Sequence, residues 1–177
     1  MNGINTKNGE LYLDNISLSD LANKYGTPSY VYSASLIRKN FLEYKDALRA
    51  SDKVCFAVKS NSNINLLKLL NLLGSGFDVV SGNELKRCLL AGADPKDIVF
   101  SGVGKTKEEI KLAIEKNIFS INIESESELE RIVQVSQKAA QPVNCAIRVN
   151  PNISSESHPY ISTGLKSSKF GVTSEVA

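Results

Sequence analysis

Short β-rich runs recur at an almost constant spacing along the chain, and this regularity constrains the fold more than any other feature. The runs cover residues 54–58, 76–80, 97–100, 119–123 and 143–150. Their first residues lie 21 to 24 positions apart, and amphipathic helical stretches separate them. Strands that alternate with helices predict a parallel sheet of βα units. Uniform repetition of one unit favours a barrel over an open sheet, so the predicted fold class is α/β with a (β/α)8 architecture.

The number of runs predicts an incomplete barrel. Five βα units cannot close a sheet of eight strands, and the runs at residues 54–58 and 143–150 would each lack one neighbour. The alternative is a complete small α/β domain with a five-stranded sheet, which a length of 177 residues also permits.

The segment before the first run differs from the repeats. Residues 30–32 (YVY) predict a short strand after a turn at residues 26–28, and residues 35–50 predict an amphipathic helix. We expect residues 1–33 to form an N-terminal arm and residues 34–177 to form the N-terminal part of the barrel.

Charge and composition narrow the classes of partner. Lys and Arg number 21 and Asp and Glu 19, and the net charge of +2 does not indicate a nucleic-acid or membrane partner. Cys55, Cys88 and Cys145 lie far apart and the chain has one histidine, so neither a disulfide framework nor a metal site is expected. The chain shows neither a leader peptide nor a long apolar run, which favours a cytoplasmic location.

Lys59 directly follows the first β-rich run. In parallel α/β folds, catalytic groups gather at the carboxyl ends of the strands. Apolar neighbours would partly desolvate the Lys59 amine and favour the neutral form, which can form a Schiff base. The alternative is an ordinary solvated lysine at a strand end, and position alone favours that interpretation.

Residues 101–106 (SGVGKT) are similar to a phosphate-binding loop because they lie between a strand and a helix and end in Gly-Lys-Thr. The first glycine of that motif would fall at Val99, and valine cannot make the backbone turn that cradles phosphates. Nucleotide hydrolysis is therefore not favoured. We expect these residues at the rim of a different site.

Six segments in a fixed order resemble the diaminopimelate decarboxylase family and cover nearly the whole chain. They are YVY (30–32), FAVKSN (56–61), GFDVVSGNEL (76–85), FSGVGKT (100–106), IRVNP (147–151) and HPYISTGLKSSKFG (158–171). Each segment alone is weakly specific, but the six in order are strongly so. The resemblance implies the barrel of the alanine racemase type, shared with ornithine decarboxylase, that binds pyridoxal 5′-phosphate (PLP). It also reverses the interpretation of Lys59, which becomes the lysine that holds PLP.

The same resemblance implies roles for four further residues. Asp78 and Arg148 are expected to bind the cofactor, while Glu84 and His158 are expected to contact the substrate or to lie at the rim. Alternatives remain for each residue. Asp78 would cap the helix that begins near Ser81, Glu84 would be solvated helix surface, Arg148 would form a structural ion pair, and His158 would be an ordinary loop histidine.

The implied activity is PLP-dependent decarboxylation of meso-2,6-diaminopimelate at its D-centre, which yields L-lysine and CO2 in the last step of lysine biosynthesis. The family is a homodimer when full length. Its arm joins a C-terminal β domain, and its phosphate-binding residues would lie beyond Ala177. The chain by itself is therefore expected to be inactive. The alternatives are another PLP barrel decarboxylase or racemase, of the ornithine or arginine type, and a truncated fragment without catalytic activity.

Overall fold

A computed structural model of the chain describes residues 3–153, 170–175 and 177. The chain divides into two compact units, Met1–Lys53 and Val54–Ala177. The predicted boundary between an arm of residues 1–33 and a barrel portion of residues 34–177 stays a prediction.

The first unit combines a small antiparallel sheet with two helices. Its elements are β1 (Ile4–Lys7), β2 (Glu10–Leu13), β3 (Ile16–Ser17), α1 (Leu18–Tyr25) and α2 (Ala34–Asp46). Both helices begin after a serine whose hydroxyl accepts a backbone N–H of the first turn, Ser17 for α1 and Ser33 for α2. The predicted helix over residues 35–50 is therefore confirmed, although it ends earlier.

The predicted strand at residues 30–32 is wrong. These residues have side chains that favour β structure, but they form no strand. They directly precede Ser33, the N-cap residue of α2. Tyr30 and Tyr32 are both exposed. Their β propensity has no neighbouring strand to act on, because within the described part of this unit the sheet consists of β1, β2 and β3.

The second unit contains a five-stranded parallel sheet, and each predicted β-rich run contributes one of its strands. The strands are β4 (Cys55–Ala57), β5 (Gly76–Val79), β6 (Ile98–Phe100), β7 (Ser120–Ile123) and β8 (Cys145–Ile147), and they pair in this order. The connecting helices are α3 (Ile64–Leu72), α4 (Gly82–Leu90), α5 (Lys107–Glu115) and α6 (Glu126–Ala139). The order of the strands in the sheet is the same as their order in the chain, as in a barrel. In a doubly wound sheet the order of strands would instead reverse at one point.

The two faces of the sheet differ in polarity. Phe77 and Val79 of β5 and Ile98 and Phe100 of β6 are fully buried, and successive helices contact one another across the unit. Successive side chains along a strand point to opposite faces of the sheet, so Asp78, between Phe77 and Val79, points to the other face. The core therefore lies between the sheet and its helices, and the opposite face carries polar groups.

The fifth predicted run is interrupted at Arg148. After β8, the short strand β9 (Val149–Asn150) pairs with β10 (Val172–Thr173) instead of continuing along β7. The Arg148 N–H donates to the Ile123 carbonyl at 3.0 Å, while the Arg148 carbonyl accepts from the Val172 N–H at 2.9 Å. The backbone thus changes partner at this one residue.

Glu109 links the N-termini of two helices. It completes a capping box at the start of α5, because Thr106 Oγ1 accepts the Glu109 N–H at 3.2 Å and Glu109 Oε2 accepts the Thr106 N–H at 3.0 Å. Its other oxygen, Oε1, accepts the N–H of Gly82 at the start of α4 at 2.7 Å. One carboxylate therefore satisfies backbone donors of two helices.

Replacement of Glu109 by glutamine is expected to lower the free energy of unfolding by about 1 kcal/mol at neutral pH. Burial acts to raise the pKa of Glu109, but the N–H donors of Thr106 and Gly82 and the charge of Lys105 outweigh it, so the pKa lies below its usual value. A carboxyl group with a lowered folded pKa stabilises the protein above its unfolded pKa, and this stabilisation is lost as the pH falls through the folded pKa. Urea unfolding should therefore show a difference between wild type and Glu109→Gln that shrinks below about pH 4. A difference that grows in acid would contradict this assignment.

Candidate active site

A cavity of about 410 Å³ opens at the carboxyl edge of the parallel sheet. Its polar lining consists of Lys59, Asp78, Ser101, Asn122 and Arg148. Each lies near the carboxyl end of one of five successive strands or directly follows it, so the winding of the chain brings them to one edge. The volume lies within the range of about 300–1,000 Å³ typical of small-molecule sites.

Lys59 lies in a single 3-10 turn, Val58–Ser60, directly after β4. Val58 is fully buried, and the turn is closed by the Ser60 hydroxyl, which donates to the Ala57 carbonyl at 2.7 Å. The Lys59 side chain is exposed and lines the cavity. Lys59 therefore lies at the end of the first strand of the sheet, as predicted, and its role stays a prediction.

Asp78 lies at one end of a polar row that runs from β5 to β7, with Ser101 at its centre. Ser101 Oγ donates to Asp78 Oδ1 at 2.5 Å, and Asn122 Nδ2 donates to Ser101 Oγ at 3.0 Å. The helix cap that was the alternative role for Asp78 is instead supplied by Ser81, whose hydroxyl accepts the Glu84 N–H at 3.2 Å. Asp78 is therefore held in the wall of the cavity.

Arg148 forms an ion pair with Glu124, the first residue after β7. Arg148 Nη1 lies 3.0 Å from Glu124 Oε1 and 3.3 Å from Oε2, and the guanidinium carbon lies 4.8 Å from the centre of the Phe170 ring. The ion pair is the structural alternative for Arg148, yet the side chain also lines the cavity. Contact between Arg148 and a cofactor stays a prediction.

Sequence reasoning missed Glu124. The available signal was its position: Glu124 directly follows β7, and the neighbouring strand β8 is directly followed by Arg148. The capping pattern at Ser125 and Glu128 drew attention to the helix instead. A capping box does not form there: Ser125 Oγ accepts the Glu128 N–H at 3.3 Å, but the Glu128 carboxylate binds Lys105 Nζ and the Glu124 N–H instead of the Ser125 N–H.

Lys105 explains why residues 101–106 do not act as a phosphate-binding loop. Its Nζ donates to the carbonyls of Gly102 and Asn122, both at 2.7 Å, and to Glu128 Oε1 at 2.9 Å. The Lys105 side chain is fully buried, so its three N–H groups are engaged inside the fold. Gly102 lines the cavity, and the loop therefore contributes to the wall of the site.

The two remaining predicted residues are not brought to the cavity by the described structure. Glu84 Oε2 accepts the Val80 N–H at 2.8 Å at the start of α4, and Glu84 is not among the described residues that line the cavity. His158 lies outside the described residues. Roles for Glu84 and His158 at the substrate or rim stay predictions.

The described residues lack two other features, a metal site and a membrane-spanning helix. No group of three or more His, Cys, Asp and Glu side chains there could hold a metal ion. Within the same part of the chain, no helix has both the length and the apolar character needed to cross a membrane.

Residues 34–177 match the family model described as pyridoxal-dependent decarboxylase, pyridoxal binding domain. The chain is 44% identical over 178 residues to a diaminopimelate decarboxylase of Pseudomonas aeruginosa, which covers 100% of this chain and 43% of that protein. It is 45% identical over 168 residues to the diaminopimelate decarboxylase of Vibrio cholerae, covering 94% and 40% of the two chains.

Solved structures give the same result. The crystal structure of diaminopimelate decarboxylase from M. jannaschii superposes with a TM-score of 0.90 at 40% identity, covering 99% of this chain and 42% of that chain. The Helicobacter pylori enzyme in complex with L-lysine gives a TM-score of 0.85 at 45% identity, covering 89% and 40%.

These matches confirm the predicted resemblance and the predicted α/β barrel, to which the described residues contribute a sheet of five parallel strands. The chain spans about two-fifths of the length of the curated relatives it matches. The chain belongs to the pyridoxal-dependent decarboxylases, and its residues 34–177 correspond to their pyridoxal binding domain.

Proposed function

We propose that the full-length protein is a PLP-dependent decarboxylase that converts meso-2,6-diaminopimelate to L-lysine and CO2, the last step of lysine biosynthesis. The observation that carries this proposal is that Lys59, Asp78 and Arg148, from three different strand ends, line one cavity. The names of the similar proteins support the choice of substrate, since they are diaminopimelate decarboxylases.

The chemistry of the cavity fits pyridoxal 5′-phosphate. An exposed primary amine at Lys59 suits an aldehyde, which it attacks as a nucleophile. Asp78 and Arg148 add one carboxylate and one guanidinium to the same wall, and Phe170 adds an aromatic ring. When bound, PLP supplies the electron sink for loss of a carboxylate from an amino acid.

The residues of this chain would then hold and orient the cofactor. Lys59 would attach it, Asp78 would favour the protonated state of a nearby nitrogen, and Arg148 would bind an oxygen of the ring or a neighbouring carboxylate. Ser101 and Asn122 fix the Asp78 carboxylate through the polar row described above, and Glu124 fixes Arg148. This is the preorganisation that catalytic sites need, because groups already in position lose little freedom during the reaction.

The substrate assignment is tested on the protein encoded by the complete open reading frame. We expect release of CO2 from meso-diaminopimelate with kcat/KM at least about 100-fold higher than from L-ornithine or L-arginine. The matched control substrate is LL-diaminopimelate, which lacks the D-centre and should release no CO2. Faster release from ornithine or arginine would assign another decarboxylase, exchange of the α-hydrogen without CO2 would assign a racemase, and no reaction with any of them would favour a non-catalytic protein.

Assembly and location extend the same proposal. We infer that the full-length protein forms a homodimer in the cytoplasm, as expected from the resemblance. Analytical ultracentrifugation of that protein is the direct test of assembly, with a monomer as the contradicting result.

A further inference from the structure

Glu124 is a buried carboxylate beside the cavity. Only 2% of its side chain is exposed, and it is not among the described residues that line the cavity. A buried carboxylate is strongly unfavourable unless its oxygens are hydrogen-bonded or paired with a cation. Its partners therefore show what the group is retained for.

Those partners belong to three separate segments of the cavity wall. Oε1 accepts the Gly102 N–H at 3.1 Å, Oε2 accepts the Gly171 N–H at 3.1 Å, and both oxygens contact Arg148 Nη1. Gly102, Arg148 and Phe170, the neighbour of Gly171, all line the cavity. A single carboxylate thus ties together the loop after β6, the end of β8 and the chain before β10.

The backbone around Gly171 is built for this contact. Gly171 has a φ of +74°, and a Cβ there would lie 2.6 Å from the Arg148 carbonyl oxygen. Only glycine fits such a close approach, which brings the Gly171 N–H to Glu124 and the Phe170 ring over the guanidinium of Arg148. Arg148 is therefore held by a carboxylate at its Nη1 and by an aromatic ring at its face.

Arg148 nevertheless keeps 40% of its side chain exposed. Its guanidinium pairs with the buried Glu124 carboxylate through one nitrogen, and the side chain still lines the cavity. The ion pair therefore holds the guanidinium in one orientation toward whatever occupies the cavity. We propose that Glu124 is a positioning residue that orients Arg148 toward the bound cofactor. This inference rests on the proposed function, because it takes PLP as the occupant.

The test uses the protein encoded by the complete open reading frame, stripped of cofactor and titrated with PLP. Glu124→Gln keeps the size of the side chain but removes the charge that holds Arg148. We expect it to raise the Kd for PLP by about tenfold, as for loss of one charge-assisted hydrogen bond. A Kd within about twofold of wild type would overturn the proposal, since that is the scatter of neutral contacts.

Glu109→Gln is the matched control. Like Glu124, Glu109 is a carboxylate that accepts backbone N–H groups from two segments, although it is only partly buried. It is not among the described residues that line the cavity, and its hydrogen bonds go to Thr106 and Gly82 rather than to Arg148. It should lower stability without changing the Kd for PLP. An equal rise in Kd for Glu109→Gln and Glu124→Gln would overturn the proposal, because the effect would then come from general loosening of the loops.

A double-mutant cycle separates positioning from general structure. If Glu124 acts through Arg148, then Glu124→Gln should change the Kd by less than about twofold once Arg148 is already glutamine. If the fold-changes in Kd of the two single variants instead multiply in the double variant, Glu124 does not act through Arg148. If Glu124→Gln does not give folded protein, Glu124→Asp keeps the charge, withdraws it by one methylene and should also raise the Kd; an unchanged Kd would overturn the proposal.

The same samples test the proposed function independently. Reduction with borohydride in the presence of PLP should leave a phosphopyridoxyl group on Lys59, identified by peptide mass, in wild type and in Glu124→Gln. Absence of the label from wild-type protein would refute the proposed function. A labelled wild type whose affinity for PLP does not depend on Glu124 would refute only the positioning role.

Discussion

Replacement of Lys59 by alanine in the full-length protein is expected to lower the rate of CO2 release by at least about 10³-fold. Lys59 is the amine among the described residues that line the cavity, and it lies on a turn directly after the first strand of the sheet. Without it, the site loses its attachment point for the aldehyde and the group that exchanges with the substrate amine. Assay of CO2 release under saturating substrate measures the loss.

Two further variants show whether the loss is specific. Lys59→Arg keeps the positive charge but not the nucleophilic amine and should be nearly as inactive as Lys59→Ala. Lys68→Ala removes an exposed lysine on α3, which is not among the described residues that line the cavity, and should retain full activity. Turnover by Lys59→Ala close to the wild-type rate would refute covalent attachment at Lys59.

The repeat of β-rich runs predicted the parallel sheet because local sequence determines where strands and helices begin. Glycines, serine caps and the Thr106 capping box mark those ends, and hydrophobic alternation places residues such as Phe77 and Asp78 on opposite faces. The strand predicted at residues 30–32 was wrong because β propensity alone does not provide a partner strand. The break at Arg148 was missed for a related reason, since it depends on a pairing with Val172, 24 positions further along the chain.

The candidate site was predicted only in part. The edge of the sheet follows from topology, and the resemblance assigned Lys59, Asp78 and Arg148 to it. Glu124 and Lys105 were missed because their roles depend on contacts across neighbouring βα units. Lys105 lies 23 positions from Glu128, and Glu124 lies 24 positions from Arg148. Such pairings are set by strand register and side-chain rotamers, which a single sequence does not display.

Replacement of Lys105 by methionine is expected to lower the free energy of unfolding by about 3–5 kcal/mol, the loss typical of removing one partner from a buried ion pair. Lys105 Nζ satisfies two backbone carbonyls and the Glu128 carboxylate, and both side chains are almost completely buried. The substitution would leave a buried negative charge without its cation and two carbonyls without this donor. Since domains have a total stability of about 5–15 kcal/mol, much of the protein would unfold under mild conditions.

The exposed pair Lys111–Glu115 provides the control for the loss of Lys105. Lys111 Nζ lies 3.6 Å from Glu115 Oε1, and the two residues are separated by about one helical turn. The exposed fractions of their side chains are 65% and 51%. Lys111→Ala should therefore change the free energy of unfolding by less than about 1 kcal/mol. The double variant Lys105→Met with Glu128→Leu removes both charges and should recover part of the stability that Lys105→Met loses, because the unpaired charge is then gone. Urea unfolding of the four proteins measures these differences. If Lys105→Met and Lys111→Ala were equally stable, the buried pair would not be what holds the loop after β6 against α6.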